Sequence, residues 1–325
     1  SDCFMANSST SAQQPDLVIR NATVFDGSGT MPKMMDVAIT GNSISAIGSS
    51  LPAGKQDVDA SGQWLMPGLW DIHTHLDLEV ELDPGLTEVV RHGTTSAVVA
   101  NCSIGLAFGR QNKNGHEPVV SCFARVENVP KPVLRRVAEK IDWDSPEGYL
   151  KHFSEIPLGA NVLPLIPHSM LRIEAMGLDN CISRPPNEAE LNEMERLLDD
   201  SMKAGYAGFS TDALPFHYLS DDPHRQIKIP THNASFPELK RLTNIVRRHD
   251  RVWQATPPKD SPLQVARTFL LSSGRLFGTP LKTTAVAALD VATNRNLAKM
   301  GVALMRVINS KLLNGSFHLQ ALAAP

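Results

Sequence analysis

No run in the 325 residues approaches the roughly 18 consecutive apolar positions that cross a bilayer, so the sequence predicts no membrane helix. Basic residues are not in excess: 31 Lys and Arg face 34 Asp and Glu, for a formal net charge of −3. A protein that neutralises a row of phosphates needs the opposite balance, which removes nucleic acid from the expected partners. Cysteine is scarce, with four in the chain and no C-x-x-C pair. In a chain this long they are not a disulfide scaffold and read as thiols of a reducing compartment. Neither G-x-G-x-x-G nor G-x-x-x-x-G-K-[ST] is present, which excludes the common dinucleotide and phosphate-loop sites. The first twenty residues have no basic segment followed by an apolar one, so no secretory signal is read and a cytoplasmic location is expected. Ser1–Phe4 read as a remnant ahead of a start at Met5.

What is present suits a large core, since 42% of the residues are hydrophobic. The length fits about two domains, or one α/β barrel of about 250 residues with an appendage. A polar, Ser-rich leader over 1–15 is expected to be disordered. Residues 16–64 carry short β patterns at Leu17-Val18-Ile19, Thr23-Val24-Phe25, Val37-Ala38-Ile39 and Ile44 to Ile47. Gly41-Asn42 offers the positive φ of a tight turn between the last two. The expectation is a small, antiparallel, β-sandwich-like domain with no chemistry of its own.

From 65 to 325 short apolar strands alternate with amphipathic helices, the pattern of a parallel sheet with helical crossovers. Seven strands are predicted: Gly68 to His75, Ser96 to Cys102, Val162 to His168, Ala207 to Asp212, Val252 to Thr256, Thr283 to Leu289 and Phe317 to Ala321. Asn187 with Glu190, and Ser235 with Glu238, have capping-box spacing, and Leu191, Met194, Leu198 and Met202 form one core stripe. Repeated β/α units without a glycine fingerprint favour a (β/α)8-type TIM barrel, here incomplete at its C-terminus. Its site would lie at the C-terminal ends of the strands.

The sharpest local signal is Pro67-Gly68-Leu69-Trp70-Asp71-Ile72-His73-Thr74-His75. Side chains two apart in a strand share a face, so His73 and His75 present two imidazoles to one side, a pair able to chelate a divalent ion such as zinc. Asp71 and Asp77 continue that parity and are expected to orient the rings. Read alone, Cys102 is either a buried small apolar residue or a thiolate ligand. His168 is either a rim residue of the substrate pocket or a histidine satisfied by the backbone. Arg172 is either a fork for a substrate carboxylate or a loop-holding ion pair. His217, His224 and His232 fall in a polar loop after the fourth strand, where lone histidines are more often solvated.

The PGLWDIHTH run after a small β domain resembles the opening strand of the amidohydrolase superfamily. Gly93-Thr94-Thr95 leading to Asn101-Cys102-Ser103-Ile104-Gly105 resembles the second strand of its N-acyl-D-amino-acid deacylases, the D-aminoacylases. Trp143 to Leu150, His168 to Arg172 and Gly208 to Thr211 are similar as well. The resemblance implies a distorted barrel with a flanking β domain, one or two divalent ions with zinc as the expected cofactor, and Cys102 as a ligand beside His73 and His75. It implies hydrolysis of a non-peptide C–N bond, the amide of an N-acyl-D-amino acid, with a small molecule as the partner and oligomerisation left open.

The chain departs from that pattern at the fifth strand, Val252 to Pro258, and the sixth, Thr283 to Asp290, where histidine ligands are expected and none occurs. Asp290 offers an oxygen of unproven equivalence. The acid/base aspartate of an eighth strand is expected beyond Pro325, so the chain by itself is expected to be weak or inactive. Two alternatives follow: a non-catalytic or degenerate barrel fragment that binds a small molecule or partner, and another amidohydrolase such as a cyclic amidase.

Overall fold

The computed structural model describes residues 14–112, 117–257, 261–286 and 296–321. The chain forms two compact units, Ser1–Gly68 and Leu69–Pro325. In the first, β1 (Leu17–Val24), β2 (Lys33–Thr40), β3 (Ser43–Gly48), β4 (Gln56–Asp59) and β5 (Trp64–Leu65) make one five-stranded sheet. Gly41 takes φ 59° in the β2–β3 turn, as its sequence suggests. The sheet is mixed, not antiparallel throughout: β4 and β5 both run parallel to β1. The chain crosses the sheet after β3 instead of turning back along its edge, so β1 receives parallel neighbours. Ala22, Val24, Val37 and Ala60 form the small core of this unit.

The second unit contains β6 (Leu69–Asp71), β7 (Thr94–Val99), β8 (Asn161–Pro167), β9 (Gly208–Ser210), β10 (Val252–Ala255), β11 (Lys282–Val286) and β12 (Ser316–Gln320). They pair in sequence order, every pair parallel, into a seven-stranded sheet that curls as an incomplete barrel. Side-chain bonds across the interior show the curl: Gln254 of β10 and Ser210 of β9 both reach the turn after β7, and Gln320 of β12 reaches His73 behind β6. Each predicted strand is present, but most stop short of the expected residue. His73, His75 and Cys102 therefore lie in loops, and His168 opens the helix His168–Met176. Residues 287–289 of the sixth prediction, and Asp290, lie outside the described residues.

Helices supply the outer layer by conventional means. The Asn187–Glu190 capping box forms, its helix Glu188–Ala204 buries Leu191, Met194, Leu198 and Met202, and Gly205 stops it at φ 120°. At the helix Phe236–Arg248, Ser235 caps the Glu238 N–H, but the Glu238 carboxylate does not return to the cap. It turns into the interior instead, toward His168 and Arg172. Trp253, Tyr206, Phe209, Phe269 and Phe317 are fully buried between sheet and helices.

Gly208 of β9 lies opposite Val252, where a Cβ would stand 1.9 Å from the Val252 carbonyl oxygen. Gly208→Ala must push β9 and β10 apart, and a loss of about 1–3 kcal/mol is expected as a lower urea midpoint.

Candidate metal centre

β6 ends at Asp71, yet the two histidines behind it still converge. Thr74, between them, donates both its N–H (3.2 Å) and its hydroxyl (2.8 Å) to Val98 O, which holds this loop extended along β7. Alternation survives the end of the strand, and the His73 and His75 rings stand 5.6 Å apart at 69°. One nitrogen from each and the Cys102 sulfur lie within 4.8 Å of one another. Cys102 Sγ is 3.3 Å from His73 Nε2.

Cys102 reaches this position through a turn with three left-handed L-residues, Ala100 (φ 63°), Cys102 (φ 50°) and Ser103 (φ 66°). Such backbone costs about 1–3 kcal/mol per residue and persists only where its surroundings over-determine it. Here they do. Asp77 Oδ2 accepts from Ala100 N (3.0 Å), and Ser210 Oγ donates to Ala100 O (2.5 Å) and accepts from Ser103 N (3.1 Å). Gln254 Oε1 accepts from Cys102 N (2.9 Å), and Asn101 Nδ2 donates to Thr74 O (3.1 Å).

The expected ring-orienting role of Asp71 and Asp77 is therefore corrected. Asp71 Oδ1 accepts the backbone N–H of His73, and Asp77 supports the Ala100 backbone. The ring neighbours come from elsewhere: His73 Nδ1 is hydrogen-bonded to Gln320 Oε1 at 2.7 Å, and Glu127 Oε1 lies at ion-pair distance, 3.3 Å, from His75 Nε2. His75 Nδ1 is buried with no partner.

Electrostatics favour neutral imidazoles. Burial, followed by the charges of His73 and His217, pushes His75 down to about 3, and burial also lowers His73. Burial, and then the nearby carboxylates of Asp212 and Glu127, raise the Cys102 thiol well above its ordinary value. A divalent ion reverses that preference by holding the thiolate.

A second buried cluster borders the centre. Asp212 Oδ2 accepts from His217 Nδ1 and His232 Nε2, both at 2.9 Å, and Oδ1 accepts from the Thr256 hydroxyl at 2.8 Å. Burial opposes the Asp212 charge, but the two histidines outweigh it and hold the carboxyl below its usual range. His217 and His232, expected to be solvated, are thus tied into the interior; His224 stays near the surface, 3.5 Å from Asp179. The available sequence signal was Asp212, a carboxylate just beyond a barrel strand and in inward parity with Ser210. Nothing local pointed to Glu127, Gln254 or Gln320.

Neither His168 nor Arg172 belongs to the metal-ligand cluster. His168 bonds Glu238 (2.9 Å) and Thr231 (3.0 Å), and it lines a cavity of about 370 Å³ that Asp212, Lys228, His232 and Arg267 also border. Arg172 is fully buried, its fork taken by Glu238 and the Cys181 carbonyl, and it presents nothing to a ligand. Of its two readings, the internal ion pair is the one this geometry supports.

The buried charges can be probed by substitution. Glu238→Leu leaves the Arg172 charge without its carboxylate and is expected to cost about 3–5 kcal/mol by chemical denaturation. Asp77, fully enclosed, is raised to about 7, chiefly by burial. Its folded pKa exceeds the unfolded one, so protonation favours the native state and the charge penalty grows between about pH 4 and 7. Asp77→Asn is expected to stabilise metal-free protein by a few kcal/mol at pH 7, since each tenfold change in proton affinity is worth about 1.4 kcal/mol, and not at pH 3.

No protein-family model matches the chain. It is 36% identical over 272 residues to an uncharacterized protein of Mycobacterium tuberculosis, covering 81% of this chain and 43% of that protein. It is 34% identical over 199 residues to N-acyl-D-aspartate deacylase of Alcaligenes xylosoxydans xylosoxydans, covering 61% and 36%. The chain thus spans about two fifths of the length of these relatives. Among solved structures, a D-aminoacylase mutant in complex with copper chloride superposes with a TM-score of 0.73 at 23% identity, over 95% of this chain and 59% of that one. N-acyl-D-glutamate deacylase of Bordetella bronchiseptica, complexed with zinc and a phosphonate inhibitor, gives 0.73 at 21% identity, over 96% and 59%. At these identities the structural likeness establishes the fold.

Proposed function

We propose that the chain is an amidohydrolase of the D-aminoacylase type and serves metal-dependent deacylation of N-acyl-D-amino acids, a reading supported by its similarity to D-aminoacylase and N-acyl-D-aspartate deacylase. The observation that carries the reading is the convergence of His73, His75 and Cys102 within 4.8 Å. Two nitrogens and a sulfur are a donor set suited to zinc, and the buried Nδ1 of His75 has no hydrogen-bond partner among the described residues. These three residues would hold the ion, which when bound supplies Lewis acidity toward an amide carbonyl.

The other groups act on substrate and protons. Asp212 holds His217 by Nδ1, and His217 Nε2 has no hydrogen bond among the described residues, so that nitrogen can accept or return a proton. The charge retained on Asp212 stabilises the imidazolium that forms. Lys228 and Arg267, on the cavity that Asp212 borders, suit a carboxylate of the substrate. Gln254 and Thr256 stand at and just beyond the end of β10, where the family resemblance expects a histidine. That departure favours the second reading, a barrel that binds its ligand without turning it over.

Metal analysis of purified protein should find about one zinc per chain, which His73, His75 and Cys102 would hold. His73→Ala/His75→Ala should lose both the ion and hydrolysis of N-acetyl-D-amino acids, with the L-enantiomers inert throughout. Undiminished turnover without metal would overturn the proposal. Zinc-loaded protein that hydrolyses nothing, yet melts higher with N-acyl-D-amino acid added, would establish the binding reading instead.

A further inference from the structure

We propose that His168 and Thr231 are positioning residues for the Asp212 cluster: together they aim His232 at the carboxylate that holds His217. The inference rests on the proton-carrying role proposed for His217 above. The chain of contacts starts at Glu238, whose Oε1 lies 2.9 Å from His168 Nε2. Burial opposes the Glu238 charge, but His168 and Arg172 outweigh it and keep the carboxylate ionised. Burial also lowers the His168 pKa from its ordinary value, so the ring is neutral and carries one proton. A carboxylate only accepts, which places that proton on Nε2 and leaves the lone pair on Nδ1. Thr231 Oγ1 is 3.0 Å from Nδ1 and is therefore the donor. The Thr231 N–H is fixed as well, by Ser169 Oγ at 3.2 Å, and Ser169 Oγ is in turn 2.8 Å from the hydroxyl of Ser103, beside Cys102. Thr231 is thus registered against the turn that carries the Cys102 sulfur.

Thr231 and His232 are neighbours in the short 3-10 turn Pro230–Asn233. With about three residues per turn, adjacent side chains leave such a turn about 120° apart, so fixing one directs the other. Thr231 points to His168, and His232 Nε2 donates to Asp212 Oδ2 at 2.9 Å. The same oxygen accepts from His217 Nδ1. If His232 swings away, Oδ2 keeps His217 alone, and the segment between them loses the fastening at its far end. Filling the space beside His168 is not enough for this role, because a hydrogen bond fixes direction and an apolar contact does not.

In metal-free protein carrying 15N-histidine, long-range proton–nitrogen correlation should show His168 protonated at Nε2. Thr231→Val removes the hydroxyl and keeps the volume. It should speed exchange of the His232 Nε2 proton about tenfold, the equivalent of one hydrogen bond, and leave zinc uptake unchanged. The kcat for N-acetyl-D-amino acids should fall by up to about 100-fold at unchanged KM, and Thr231→Ser should recover most of that loss. Wild-type His168 protonated at Nδ1, unaltered His232 exchange in Thr231→Val, or loss of zinc from that variant along with turnover overturns the inference. The tautomer is read on the unaltered protein, so it decides even where a variant folds poorly. Wild-type protein that shows these ring signals and hydrolyses nothing supports the positioning and defeats the proposed reaction alone.

Discussion

The site depends on one strained feature, the left-handed turn from Ala100 to Ser103 that follows β7. It delivers the Cys102 sulfur to the His73 ring and keeps no regular ladder of its own. Its backbone groups are satisfied from three directions, by Asp77, by Ser210 of β9 and by Gln254 of β10. Those bonds form only if the sheet curls enough for β9 and β10 to face the end of β7 across the interior. Curling the sheet and building the turn are therefore one event: the turn gives the interior polar side chains their partners, and they stabilise its unfavourable backbone.

A second constraint is the pairing of buried charge. Asp212 and Glu238 are both enclosed, and an isolated carboxylate in such surroundings would be neutralised. Asp212 keeps its charge through His217 and His232, Glu238 through His168 and Arg172. These partners tie the segment after β9 into the molecule instead of leaving it as a solvated cover. The same need explains why Glu238 abandons the capping box that its spacing from Ser235 suggests. Water can serve a helix N–H at that end, whereas Glu238 is the carboxylate that ion-pairs with Arg172 among the described residues.

Much of the fold was legible in the chain because it is written in local patterns. Alternation of apolar runs with capped helices predicted all seven parallel strands, and the His73/His75 spacing retained its meaning past the end of β6 because Thr74 keeps that loop extended. The ring partners were not legible. Asp71 and Asp77 have the right parity, but backbone N–H groups closer to hand claim them, whereas Glu127 and Gln320 approach from distant elements. Arg172 had two readings of equal sequence support, and burial beside Glu238 separates them. The two parallel strands of the small sheet were missed for a related reason, since strand direction depends on where a connection crosses.

By itself the sequence determined the class of fold and the order of its strands, and it marked His73 and His75 as a pair on one face, because periodicity and residue type act over a few neighbours; Cys102 entered only through the family resemblance. Tertiary structure alone decided which nitrogen of His73 is held, which carboxylates remain charged and which arginine is already spoken for. Those outcomes depend on hydrogen bonds and desolvation between residues far apart in the chain, and no local pattern encodes them.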